Sequence, residues 1–154
     1  MKEFRLSPEQ VDNFLDDGFL IIPNLLDAEE TELLLTAASA DPMMKENVFD
    51  VSDRKGQISQ MTLWNHPGED LWGMVSRSNR IVASMEQLLE GEVYHYHSKL
   101  ILKKPNEGGA WEWHQDYGYW YKNGCLFPDM VSCWIALNKA DTPRILVRDR
   151  SAYF

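Results

Sequence analysis

Apolar residues recur at two spacings along this chain, and the change from one to the other divides it. Ser7-Pro8-Glu9-Gln10 reads as a helix start, with Ser7 as N-cap, Pro8 in the first turn and Gln10 closing a capping box. Val11, Phe14 and Leu15 then share one helical face, and Gly18 predicts the stop. Phe19 to Pro23 is a short, branched apolar run that predicts a buried strand. Asp27 with Glu30 forms a second capping box, opening a Leu- and Ala-rich helix that should end near Asp41-Pro42. From Met43 to Leu63 the pattern weakens, with Asp53 to Gly56 as a turn between two short strands. Asn65 to Asp70 reads as a loop. Leu71, Val75, Ile81, Val82, Met85 and Leu88 then return to helical spacing, with a break near Ser78-Asn79 and an end at Gly91. The remainder alternates as strands do: Val93 to Lys104, Trp111 to Tyr121 and Met130 to Leu137. A loop at Pro105 to Gly109 and another holding Gly124 and Pro128 separate them. Helices first and antiparallel strands after predict an α+β domain built on a sandwich or barrel.

Composition narrows the class of protein. At 154 residues the chain suits one domain with a sizeable core, and no repeat or linker divides it. No apolar run approaches the roughly 20 residues of a membrane span, so a soluble protein with no membrane partner is expected. The charged start MKEFRLSPEQ has no apolar signal-peptide core, and the two cysteines, Cys125 and Cys133, form neither a CxxC pair nor a disulfide framework. Both features predict a cytoplasmic location. A formal charge of -9 argues against broad nucleic-acid binding, which needs clustered Lys and Arg.

The stretch WEWHQDYGYW, Trp111 to Trp120, carries the sharpest chemical signal. On a strand, residues two apart point to one face, so His114 and Asp116 would both reach a single ion. Imidazole with carboxylate suits Fe(II), Zn(II) or Mn(II), and two His with one carboxylate mark non-haem Fe(II) oxygenases. Upstream, His95 and His97 share a strand face with Lys99 under the same reading. These two histidines are open to a metal role of their own or to lining a pocket or core. Lys99 is open to acting as a fixed cation for an acidic cosubstrate or to reaching solvent over a packed stem. The aromatic rings around His114 suit packing as well as a water-excluding pocket. There is no GxSxG, P-loop, GxGxxG or HExxH.

Three stretches together, LSPEQVDNFLDDGFLIIPNLLDAEE, HSKLILKKPNEGGAWEWHQDYGYW and DMVSCWIALNKAD, resemble the phytanoyl-CoA dioxygenase family of Fe(II)- and 2-oxoglutarate-dependent oxygenases. The resemblance covers Leu6 to Asp141 and leaves 142–154 as an atypical tail of what is expected to be one domain over 1–154. It implies a double-stranded β-helix, a cupin-like jelly roll with N-terminal helices packed outside. It implies that His114 and Asp116 are catalytic metal ligands for Fe(II), and that Lys99 and Trp134 contact 2-oxoglutarate. The implied reaction hydroxylates a C–H bond of a small-molecule substrate, consuming O2 and releasing succinate and CO2.

The pattern departs from the family after Asp141. No histidine follows His114, and Arg144, Arg148 and Arg150 do not stand in the family's arginine context. The reading is therefore of a sequence truncated or frame-shifted near Asp141, with the distal His and the 2-oxoglutarate Arg missing and with impaired activity. The candidate strands also fall short of the roughly eight of a jelly roll, so an incomplete fold with self-association through an open sheet edge is expected. Two alternatives stay open: a non-catalytic metal- or ligand-binding remnant of the family, and a cupin-type metal protein using His95, His97 and His114.

Overall fold

The structure, a computed structural model, describes residues 4–103, 108, 109, 114 and 116–138. In chain order its elements are α1 (Pro8–Asp17), α2 (Ala28–Ala40), α3 (Pro42–Glu46), β1 (Phe49–Ser52), β2 (Ile58–Trp64), α4 (Leu71–Ser76), α5 (Asn79–Leu89), β3 (Ser98–Leu102) and α6 (Asp116–Lys122). This is an α+β chain. It divides into two compact units: one holds the described residues of Met1–Asp27, Arg77–Val93 and His114–Phe154, the other those of Ala28–Ser76 and Tyr94–Trp113.

In the first unit, α1 begins as its sequence predicts. The Ser7 side chain accepts from Gln10 N, the Gln10 side chain accepts from Ser7 N, and Gly18 closes the helix at φ 77°. Leu6, just ahead of this cap, is buried, and its backbone is held at both ends by one side chain: Leu6 N donates to Gln87 Oε1 at 2.8 Å, and Gln87 Nε2 donates to Leu6 O at 3.3 Å. Gln87 lies on α5, whose Ile81 and Ser84 are buried, so α1 and α5 are tied where their apolar faces meet. Arg80 reaches from the same helix to the Leu25 carbonyl. The break near Ser78 holds. The stop differs by one residue: Glu90 takes the left-handed conformation at φ 53°, and Gly91 follows it.

In the second unit, the three strands form one antiparallel sheet in the order β1-β2-β3. Phe49 pairs with Met61 and Ser52 with Ile58; Gln60 pairs with Leu102 and Trp64 with Ser98. Asp53 builds the hairpin, because its Oδ1 accepts from both Lys55 N and Gln57 N at 2.8 Å while Gly56 supplies a φ of 78°. β2 is bonded on both sides and supplies the buried Ser59, Met61 and Thr62. Thr62 Oγ1 donates to the Met44 carbonyl and Ser59 Oγ to the Gly109 carbonyl, so its buried hydroxyls are satisfied. Leu34 and Ala38 of α2, Met44 of α3, Trp72 of α4 and Leu100 of β3 complete the buried apolar set of this unit. Trp72 lies 6.0 Å from the ring of Trp64 and donates from Nε1 to Asp41 Oδ2.

Several sequence expectations are corrected. Phe19 to Pro23 is not a strand: the chain there is irregular and turns at Pro23-Asn24, with Asn24 at φ 55°. A five-residue run that ends in proline and meets no ladder partner among the described residues stays irregular. Asp41-Pro42, read only as the end of α2, also starts α3, with Asp41 accepting from Met43 N. Of the described residues of Val93 to Lys104, Ser98–Leu102 are strand, which leaves His95 and His97 in irregular chain. Met130 to Leu137 is irregular, and Trp111 to Tyr121 is replaced from Asp116 onward by α6. The described strands make a single three-stranded sheet. Pro105 to Glu107, Trp111 to Trp113 and the tail from Lys139, including Arg144, Arg148 and Arg150, lie outside the described residues.

Two substitutions test these contacts. A Cβ at Gly73 would lie 1.7 Å from the Gly68 carbonyl oxygen, so Gly73→Ala is expected to cost at least about 3 kcal/mol in urea-unfolding stability. Glu90→Gly should raise urea-unfolding stability by about 0.5–1 kcal/mol, because it removes a side chain from a left-handed backbone position.

Candidate metal centre

His114 precedes α6 and Asp116 is its first residue. The two come together by a route different from the expected strand. The chain enters a helix whose first turn carries the carboxylate, and His114 Nε2 lies 2.9 Å from Asp116 Oδ1. The local sequence explains the helix. Asp116 is an acidic residue in the first turn and Lys122 a basic one in the last, and Asn123-Gly124 ends it, with Gly124 at φ 94°. Asn123 N and Cys125 N both donate to the Trp120 carbonyl, and Asn123 Nδ2 donates to the Tyr119 carbonyl at 2.8 Å. Those start and stop residues outweigh the strand preference of Tyr117, Tyr119, Trp120 and Tyr121.

The pair is accessible, with side-chain exposures of 58% for His114 and 38% for Asp116. Its donor atoms fit a metal. Nitrogen and oxygen ligands about 2.1 Å from one ion, at adjacent corners of an octahedron, lie about 3.0 Å apart, close to the separation seen here. Imidazole nitrogen with carboxylate oxygen is also the donor chemistry that Fe(II) accepts. Among the described residues, no group of three or more His, Cys, Asp or Glu side chains is placed to hold an ion.

Tyr117, next to Asp116, donates from Oη to the Leu126 carbonyl at 3.0 Å, and its ring lies 6.0 Å from that of Tyr121. Desolvation first, and then Cys125, Tyr121 and Asp129, push its phenol above the ordinary value, so it remains a protonated donor. Sequence reasoning missed this tie. The Asn123-Gly124 stop, which turns the chain back after α6, was the signal that could have suggested it.

The other expected site residues are placed as follows. Trp134 belongs to the same unit as the pair, in irregular chain, and is 53% exposed. Lys99 belongs to the second unit, on β3 opposite Leu63, and is exposed. His95 in that unit bonds through Nε2 to Ser98 Oγ at 2.8 Å, and the His97 ring meets Tyr96 edge-on at 5.6 Å. Ser98 as the partner of His95 was not foreseen. Among the described residues, no helix is long and apolar enough to cross a membrane.

Comparison with known proteins shows the family. The chain is 31% identical over 124 residues to L-proline trans-4-hydroxylase of Streptomyces griseoviridis, covering 79% of this chain and 46% of that protein. It is 28% identical over 149 residues to ectoine dioxygenase of Bordetella parapertussis, covering 92% of this chain and 48% of that protein. It is also 28% identical over 141 residues to ectoine dioxygenase of Halomonas elongata, covering 89% of this chain and 42% of that protein. The chain therefore spans about half the length of the curated relatives it matches. Residues 14–143, which include His114 and Asp116, match the description of one family, and the chain belongs to it: the phytanoyl-CoA dioxygenase (PhyH) family.

Proposed function

We propose that this chain carries part of the site of an Fe(II)- and 2-oxoglutarate-dependent dioxygenase that hydroxylates a C–H bond of a small molecule. The observation that carries the reading is the His114–Asp116 pair, 2.9 Å apart, inside the span that matches the family. His114 Nε2 and Asp116 Oδ1 would hold the metal, and Lys99 and Trp134 would contact 2-oxoglutarate. Fe(II) with 2-oxoglutarate and O2 would supply the oxidising power, leaving succinate and CO2 beside the hydroxylated product. The protein's part is to orient the substrate's C–H bond and keep water from it; the exposed rings of Tyr119, Tyr121 and Trp134 are apolar surface suited to that work once covered. The double-stranded β-helix, with 1–154 in one domain, is the architecture proposed around the site.

Amino-acid-like molecules are the substrate class to test first. Two relatives are named for proline and for ectoine, both small and polar. We place the reaction in the cytoplasm, with neither nucleic acid nor membrane as partner. β1 and β3 are the outer strands of the described sheet, which supports self-association through one of them.

A second reading has its own observation. No histidine follows His114 in the 154 residues, and two ligands seldom hold Fe(II) against water. The polypeptide on its own is then a weak oxygenase, or a binding module without redox chemistry.

Anaerobic addition of Fe(II) and then 2-oxoglutarate separates the two, since a chelating site gives a visible metal-to-ligand charge-transfer band. Where the band appears, His114→Ala and Asp116→Ala are each expected to lower apparent Fe(II) affinity at least about tenfold. Succinate release with L-proline or ectoine then tests the substrate class. A folded chain without the band favours the binding module. A band that survives both substitutions contradicts the assignment of the pair.

A further inference from the structure

Building on the reading that His114 and Asp116 hold a metal, we propose that the Tyr117 hydroxyl is a positioning group for that pair, fixing the first turn of α6 by its bond to the Leu126 carbonyl. The argument starts from the length of the helix. α6 has seven residues, and isolated helices shorter than about 12–15 residues are marginal in water. A protein helix usually makes up the difference by burying an apolar face, but none of the side chains of α6 is buried. Its hold on a fixed shape must come from hydrogen bonds and ring contacts.

Those bonds are unevenly placed. Asn123 Nδ2 to the Tyr119 carbonyl, and the backbone bonds from Asn123, Gly124 and Cys125 to Trp120 and Tyr121, secure the last turn. They do not reach the first. Tyr117 does: its side chain runs from the residue beside Asp116 to a carbonyl nine positions along the chain, beyond the Gly124 turn, at 3.0 Å. The receiving segment is itself braced, since Cys125 Sγ contacts the Phe127 carbonyl at 3.2 Å. Helix start and post-helix loop are thereby closed into one ring of chain.

The function of that ring follows from where the carboxylate sits. Helix ends fray, and Asp116 is an end residue. If the first turn opens, the Asp116 backbone leaves its helical angles and its carboxylate leaves its place 2.9 Å from His114 Nε2. A chelating pair binds tightly only while both donors are held at the spacing the ion requires. Tyr117 makes no contact with the metal in this scheme. It narrows the range of positions from which Asp116 would bind.

The test compares Tyr117→Phe with Tyr121→Phe in the full 154-residue chain. The second variant removes a neighbouring hydroxyl of the same helix and leaves the Tyr117 bond intact. Co(II) is the probe, followed by its ligand-field absorption, alongside metal-free 13Cα shifts and amide exchange for residues 116–122. Loss of one net hydrogen bond predicts that Tyr117→Phe weakens Co(II) binding about three- to tenfold, with helical shifts lost at residues 116–118. Tyr121→Phe should stay within about twofold of the unsubstituted chain and keep its urea midpoint. Unchanged Co(II) binding by Tyr117→Phe, or equal losses in both variants, overturns the inference. If His114→Ala leaves Co(II) binding as it was, the metal reading has failed and takes this one with it, while the metal-free shifts still record whether the Tyr117 tie exists.

Discussion

Short elements that bury little of their own surface depend on polar side chains to close them, and this constraint recurs through the described part of the chain. The longest helix, α2, has 13 residues, and α3, α4 and α6 have five, six and seven, all near or below the length at which a helix holds itself in water. Several boundaries accordingly have a side chain bonded to backbone. Ser7 and Gln10 close α1, Asp41 opens α3, Asp53 forms the hairpin, and Asp70 Oδ1 receives Gly73 N at the start of α4. Longer reach comes from Gln87, which holds Leu6 at both N–H and carbonyl across 81 positions. A carboxylate or amide in these places is worth about as much as a buried methyl group, because it satisfies backbone groups that would otherwise face the solvent unpaired.

Local chemistry of this kind is legible in sequence. The box at Ser7, the hairpin at Asp53 to Gly56 and the loop at Asn65 to Asp70 could all be read from residue types whose side chains act within four positions. Strands were less legible, because a strand exists only through its partner. Phe19 to Pro23 and Met130 to Leu137 have strand composition and no ladder among the described residues, whereas Phe49–Ser52, with the mixed sequence FDVS, is strand because β2 lies beside it. Alternation alone does not say whether a neighbour will be there.

The site shows the same division. His114 and Asp116 were identifiable as a pair from spacing, and they are adjacent in space, but the geometric reason first attached to them was that of a strand. Residues two apart also meet where a loop turns into a helix, and Asp116, Lys122, Asn123 and Gly124 together spell that helix more strongly than the rings between them spell a strand. Trp134 drew attention through family resemblance alone, and its exposed irregular segment carries no local signature that spacing could have supplied. Lys99 could be singled out from its spacing to His95 and His97 as well, but only Lys99 of the three lies on a strand.

Gly73 has a consequence beyond its effect on stability. Its Cα lies so close to the Gly68 carbonyl that any side chain there must displace the backbone of the preceding loop. The loop and the helix start are thus one hereditary unit. A descendant could acquire a larger residue at 73 only after, or together with, a change in the path of Asn65 to Asp70, so single substitutions that look independent along the sequence are ordered in time by the shape they share. Drift in this part of the protein proceeds in pairs, with loop path and residue 73 as the coupled terms.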